Sequence, residues 1–239
     1  MYKSAVLFIV LLIMVSCCTP ATAEIVVFDD VIAVNKTIKL NAVTKGRFFP
    51  EGGRLVKFHI NGTSLGANLS GGDGYAFFTY TPLSSGIFKL KAESGNDMDE
   101  GTLLVTAKKD RIVLIEIEVV HENLPFSFEP AKDSPGVLQR LATRFRIVYV
   151  TTLAGIEASR KVIRENSLPL APVFKWGGAE LLEELKDKGI KPFAIVASPG
   201  VMSDAVDIEK RYSFEDTEAG TAVKDWNALL NHLDRNRAK

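Results

Sequence analysis

Lys109–Val120, KDRIVLIEIEVV, is the most apolar segment beyond the N-terminal leader, and it carries two carboxylates, Glu116 and Glu118, near its C-terminal end. Charged residues precede it and a polar, proline-containing loop follows. A run this rich in Ile and Val reads as a buried central strand of a parallel sheet. In an open α/β sheet the ligand crevice lies beyond the carboxyl ends of the strands. Acids spaced i, i+2 on such a strand put one side chain and the intervening backbone carbonyl into that crevice.

Downstream of this strand, the pattern alternates between helix and strand. Ser134-Pro135 is a helix start, with Ser as cap and Pro in the first turn, and Val137, Leu138, Leu141 and Ala142 form an apolar face. Phe145–Val150 (FRIVYV) is a second buried strand ending in Thr151-Thr152. Ala158, Val162 and Ile163 mark a helix broken by Leu168-Pro169, and Val173-Phe174 is a short strand. Ala179 to Leu185 is helical and closed by Lys188-Gly189. Pro192–Ala197 (PFAIVA) is a third core strand. A short helix is expected over Ser203–Lys210, an edge strand over Tyr212–Phe214 and an amphipathic helix over Glu218–Leu233. Residues 109–239 are therefore expected to form a doubly wound parallel α/β domain.

Upstream, over residues 24–108, the period is two. Arg54–Ile60 (RLVKFHI) sets Val56, Phe58 and Ile60 on one face and Leu55, Lys57 and His59 on the other. Asn61-Gly62 is a hairpin signal, because both residues tolerate positive φ. Ser64–Leu69 is the return strand, Gly71 to Gly74 a turn, and Tyr75–Thr81 alternates again. Ile87–Ala92 and Thr102–Thr106 complete about seven short strands, the signature of an antiparallel sandwich. The aromatics of this half read mainly as sandwich core. Phe48-Phe49, beside Pro50, is the one pair placed to form a carbohydrate-binding platform.

The first 23 residues read as a leader. Lys3 precedes the apolar core Ala5–Val15, and Ala21-Thr22-Ala23 is a small-residue cleavage site. Cleavage there starts the mature chain at Glu24. The alternative is a lipoprotein leader, with a lipid anchor at Cys17 or Cys18, which are the only cysteines. Both place the protein outside the cytoplasm, in the periplasm or beyond. The leader is too short for a confident membrane span, so no transmembrane span is expected in the mature chain. The charges balance, with Lys+Arg 29 against Asp+Glu 29, which gives no basic excess for nucleic acid. Three His without a Cys/His cluster argue against structural zinc.

Two resemblances follow from particular stretches. FHINGTSLGANLSGGDGYAFFTYTPLSSGIFKLKAES resembles a bacterial immunoglobulin-like domain. The later half resembles the haloacid dehalogenase superfamily, nearest to its acid-phosphatase and lipin-type members. There RIVLIEIEVV stands where the family has a strand ending in Asp-x-Asp-x-Thr. SPGVLQRLATRFRIVYVTT resembles the helix and strand that end in a phosphate-binding Thr or Ser, and PFAIVASPGVMSDA the strand and loop that carry the last acids. The resemblance implies Glu116 as nucleophile and metal ligand, Glu118 as acid/base, Thr151 and Lys175 as phosphate-binding residues, and Asp204, with Asp207 beside it, as a further metal ligand.

The departures from the family pattern all fall at the chemistry. Glu116 and Glu118 replace aspartates, Val120 replaces Thr, and Ala197-Ser198 replaces Gly-Asp. Misplacing an attacking group by about 1 Å can cost roughly 100-fold in rate. The expectation is a non-catalytic domain that needs no cofactor, or uses Mg²⁺ if the site works. Its role is binding or scaffolding at the cell envelope, with an envelope protein or a glycan as partner. The alternatives are a Mg²⁺-dependent phosphatase using Glu116 and Glu118, and an adhesion module in which the sandwich does the binding.

Overall fold

The computed structural model describes residues 24–46, 49–121 and 129–235. The leader, with its cleavage site and both cysteines, and Phe48 lie outside the described residues.

The first half is a β-sandwich of two sheets. Its strands are β1 (Glu24–Val27), β2 (Asp30–Ala33), β3 (Ile38–Lys45), β4 (Leu55–Ile60), β5 (Thr63–Leu69), β6 (Tyr75–Tyr80), β7 (Gly86–Ser94) and β8 (Asp97–Thr106). One sheet runs β1-β3-β6 and the other β2-β8-β7-β4-β5. The alternation along β4 is realised: Val56, Phe58 and Ile60 are buried while Leu55 faces solvent. Asn61 and Gly62 take φ of 49° and 80°, the left-handed pair that a two-residue hairpin needs. The chain changes sheets at Phe28-Asp29, so β2 runs parallel to β8. The sandwich is therefore mixed at this edge rather than wholly antiparallel.

The second half is a six-stranded, all-parallel sheet. Its elements are β9 (Ile112–Glu116), a 3-10 turn (Ile117–Val120), α1 (Ser134–Ala142), β10 (Arg146–Thr151), α2 (Ile156–Glu165), β11 (Val173–Lys175), α3 (Ala179–Asp187), β12 (Pro192–Val196), α4 (Pro199–Asp204), β13 (Lys210–Ser213), β14 (Thr221–Ala222) and α5 (Trp226–Arg235). The order is β11-β10-β9-β12-β13-β14, with the first strand in the middle. Helices α1, α2 and α5 pack on one face through Leu138, Ile163 and Leu229. Helices α3 and α4 cover the other through Leu185 and Met202.

Several boundaries depart from the sequence expectation. The central strand stops at Glu116, because the backbone of Val120 is taken up elsewhere: its carbonyl accepts Ala131 N at 2.8 Å and the Ser134 hydroxyl at 3.1 Å. Ser134 is thus the first residue of α1 and not its cap; that position is Asp133, at φ 67°. The helix expected over Ser203–Lys210 lies earlier, at α4, where the Ser198-Pro199 pair supplies the start signal. Tyr212 sits on β13, which is not an edge, since β14 pairs outside it. Helix α5 begins only at Trp226, because the Asp225 carboxylate caps Ala228 N at 2.8 Å.

The two halves share buried structure. Val31 of β2 and Leu104 of β8 belong to the same core cluster as Leu181, Leu185 and Ile190. Ala33 N donates to Lys188 O at 3.1 Å. At the sheet-switch, Asp29 accepts from Thr102 N at 2.7 Å, from Val173 N at 2.9 Å, and from Arg160 through Nη2 at 2.8 Å and Nε at 3.2 Å. Both members are nearly inaccessible.

Candidate functional site

The strand order reverses at β9, whose neighbours β10 and β12 send their helices to opposite faces. A crevice opens at such a point beyond the carboxyl ends of the strands. Glu116, the last residue of β9, sits at this end of the sheet and is 2% exposed. Its Oε2 accepts Ser198 N at 2.6 Å and its Oε1 accepts the Thr152 hydroxyl at 2.9 Å. The carboxylate thereby ties the ends of β9, β10 and β12 together.

The 3-10 turn brings Glu118 to the same place. Its Oε1 accepts the Thr151 hydroxyl at 2.7 Å and the backbone N–H groups of Thr152, Leu153 and Ala154 at 3.1, 2.9 and 3.0 Å. The Thr151 hydroxyl oxygen in turn accepts Gly155 N at 3.1 Å. Gly155, at φ 78°, lets the loop enter α2, whose N-terminus carries the positive end of the helix dipole. Successive amides turned to one point at a helix start form an anion nest. Here the protein's own carboxylate fills it. The other oxygen, Oε2, is buried without a hydrogen-bond partner.

The structure thus brings together three of the residues singled out in the sequence: Glu116, Glu118 and Thr151. It adds Thr152, Ser198 N and the amides of 152–154. The small residues of TTLAG between a buried strand and a helix were the signal for the nest. Lys175, at the end of β11 beside Thr151 in register, is exposed and among the described residues makes no ion pair. Asp204 is exposed at the end of α4, against Gly178 at the start of α3. Asp207 lies further off, over Leu182 and Ile190.

A hard divalent cation needs several carboxylate, carbonyl or water oxygens in near-octahedral array. Both oxygens of Glu116 and one of Glu118 already face N–H or O–H hydrogens. Ser198 offers its backbone N–H to Glu116 and no carboxylate. Among the described residues no three His, Cys, Asp or Glu side chains are grouped to hold a metal ion. The residues present do not fit Mg²⁺.

Fold and site together define a two-part protein, an immunoglobulin-like β-sandwich fused to a parallel α/β sheet whose crevice is filled by its own glutamates. No family model matches the chain. No curated protein matches it either. Among solved structures, a CARDB domain from Pyrococcus furiosus, solved with two metal ions, is 22% identical, covers 36% of this chain and 86% of its own, and superposes with a TM-score of 0.28. The fibronectin(III)-like modules of Clostridium thermocellum CbhA are 13% identical over 36% of this chain and 48% of theirs, with a TM-score of 0.27. The D0–D1 domain of intimin is 16% identical over 35% and 49%, with a TM-score of 0.29. Likenesses this partial add nothing to the reading of the site.

Proposed function

We propose that this is an exported cell-envelope protein with a binding or scaffolding role, and that its α/β half is a haloacid-dehalogenase-like domain without catalytic activity. One observation carries the second part: the oxygen of Glu118 occupies the amide nest where a phosphoryl oxygen would otherwise be held. An in-line transfer needs a free carboxylate aimed at phosphorus and donors left open for the charge that develops. Glu116 is committed to Ser198 and Thr152, and Glu118 is committed to the nest. Export rests on the leader, with the mature terminus at Glu24 or a lipid anchor at Cys17 or Cys18. Among the described residues no helix is long and apolar enough to cross a membrane.

The test is turnover of an aryl phosphate with millimolar Mg²⁺, paired with a thermal-shift titration of the metal. The expected outcome is no turnover and no saturable rise in melting temperature; a ligand at 100 times its dissociation constant would add about 2.7 kcal/mol. Robust wild-type activity that Glu116→Gln abolishes would promote the phosphatase reading instead.

A further inference from the structure

Three aromatic side chains stand in a row on the outer face of the three-stranded sheet. Phe28 follows β1, and Tyr75 and Phe77 are spaced i, i+2 on β6. The Phe28 and Tyr75 rings are 6.1 Å apart at 15°, and Tyr75 and Phe77 are 6.2 Å apart at 14°. Such a row on an outer sheet face is not core packing: Phe77 is 44% exposed, and Phe28 and Tyr75 are half-buried. Phe58 and Phe78 do the inward packing on the other side. Phe28 also forms one wall of a cleft of about 680 Å³ between the two halves. The Thr151–Gly155 loop, the start of α2 with Glu157 and Arg160, and, at the end of β11, Lys175 line the rest of it.

We propose that this row and the adjoining cleft bind an acidic polysaccharide. The three near-parallel rings, spaced 6.1 and 6.2 Å, form an apolar strip long enough to span more than one sugar unit. Pyranose rings present flat C–H faces to aromatic rings and keep their hydroxyls at the periphery. The periphery here is polar, as a glycan requires: Lys39, Asn41 and Lys45 on β3 and Thr79 on β6 share the outer face. A protein partner would call for a wider apolar core than three rings supply. The acidic class follows from Lys175: Glu157, the carboxylate of the cleft lining, is paired with Arg160 at 3.0 Å, which leaves Lys175 as the lining cation that makes no ion pair among the described residues. The inference takes from the proposed function only the binding role; the aromatic row is separate from the site of Glu118, while one wall of the cleft is the outer side of the Thr151–Gly155 loop that holds it.

The test is calorimetric titration of the full mature chain with hexagalacturonate, with cellohexaose as the neutral comparison. Saturable binding of the acidic hexamer, stronger than of the neutral one, is expected. Phe77→Ala should weaken it about tenfold, as loss of one stacking face implies. Lys175→Gln should erase the preference for the acidic hexamer. Both side chains are exposed, so unchanged melting temperatures will show that the variants fold. Binding that ignores Phe77→Ala, equal binding of the two hexamers, or no binding of either at millimolar concentration would each overturn the proposal. The Phe77→Ala arm reports on the row alone, since Phe77 lies on β6 away from the Glu118 loop, and the turnover assay reports on that loop's site by itself.

Discussion

Glu118 and Asp29 are both carboxylates that gather hydrogen bonds from distant segments, and they are built differently. Asp29 has both oxygens occupied and a guanidinium in two-pronged contact, with Arg160 also reaching Val27 O at 2.8 Å. Glu118 has four donors on one oxygen, an empty second oxygen, and backbone dipoles in place of a counter-charge. A fully paired buried ion is costly to separate, because either partner left alone is a desolvated charge. A carboxylate held by amides leaves an anion site behind when it is removed. The first arrangement is a permanent joint between the halves. The second is a plug in a loop that any suitably shaped anion could fill.

The sharpest way to break this comparison is at the joint. Burial works against the Arg160 charge, yet Asp29, aided by Glu157 and Asp99, outweighs it and holds the guanidinium pKa above its ordinary value. Arg160→Met leaves the buried Asp29 with the Thr102 and Val173 amides but without its counter-charge and should cost about 3–5 kcal/mol in urea unfolding. Adding Asp29→Asn should return part of that loss, because the stranded charge is gone. If Arg160→Met costs less than about 1 kcal/mol, the pair behaves as a surface bridge and the halves are held by Val31 and Leu104 instead.

The plug comes next. Glu118→Ala leaves three N–H groups and a hydroxyl without their acceptor, which should cost about 2 kcal/mol. Glu118→Gln keeps an acceptor oxygen in place and should cost less. Millimolar sulfate should raise the melting temperature of the alanine variant and leave wild type unchanged, since only the variant has an open nest. A sulfate response of equal size in both proteins would mean that Glu118 does not fill the nest in solution.

The same contrast explains what the sequence disclosed. Glu116, Glu118 and Thr151 could be found because each ends a strongly apolar run, and the end of a buried strand is where a parallel sheet places its chemistry. The sandwich strands were legible for a similar reason: Val56, Phe58 and Ile60 declare a face by alternation alone. Asp29 and Arg160 declare nothing. They are separated by 131 positions, Asp29 falls at a sheet-switch with no periodicity, and an arginine on an amphipathic helix ordinarily faces water. Phe77 was hidden by its own alternation, since period two separates the faces of a strand without saying which one is inward. The 3-10 turn was missed because Ile117 and Val120 continue the apolar run, and only the tertiary partners Ala131 and Ser134 end the strand. Asp225 was a readable cap that the pattern of later leucines obscured.

The smallest expected effect is also at the joint, on its rim. Lys188 closes α3 and lies between Asp30 of β2 and Glu184 on its own helix, with Nζ 2.5 Å and 2.6 Å from their oxygens. Burial opposes its charge, but Asp30 and Glu184 together carry its pKa above the ordinary 10.5. Burial also holds the Asp30 carboxyl above its ordinary range, even with Lys188 beside it. The ammonium faces two carboxylates and the carboxyl one ammonium, so the lysine is the better compensated member. A lysine whose folded pKa exceeds its unfolded one adds stability that is fully present below the unfolded value, and that stability is lost as pH rises through the folded value. The window therefore opens at about pH 10.5 and extends upward. Wild type should lose roughly 1 kcal/mol more than Lys188→Met across that window, because the variant has no proton to release there. Arg160 stays charged throughout, so the Asp29 pair is silent in the same range. Parallel unfolding curves for wild type and Lys188→Met above pH 10 would remove Lys188 from the joint and leave Asp29 and the apolar contacts of Val31 and Leu104 to hold it.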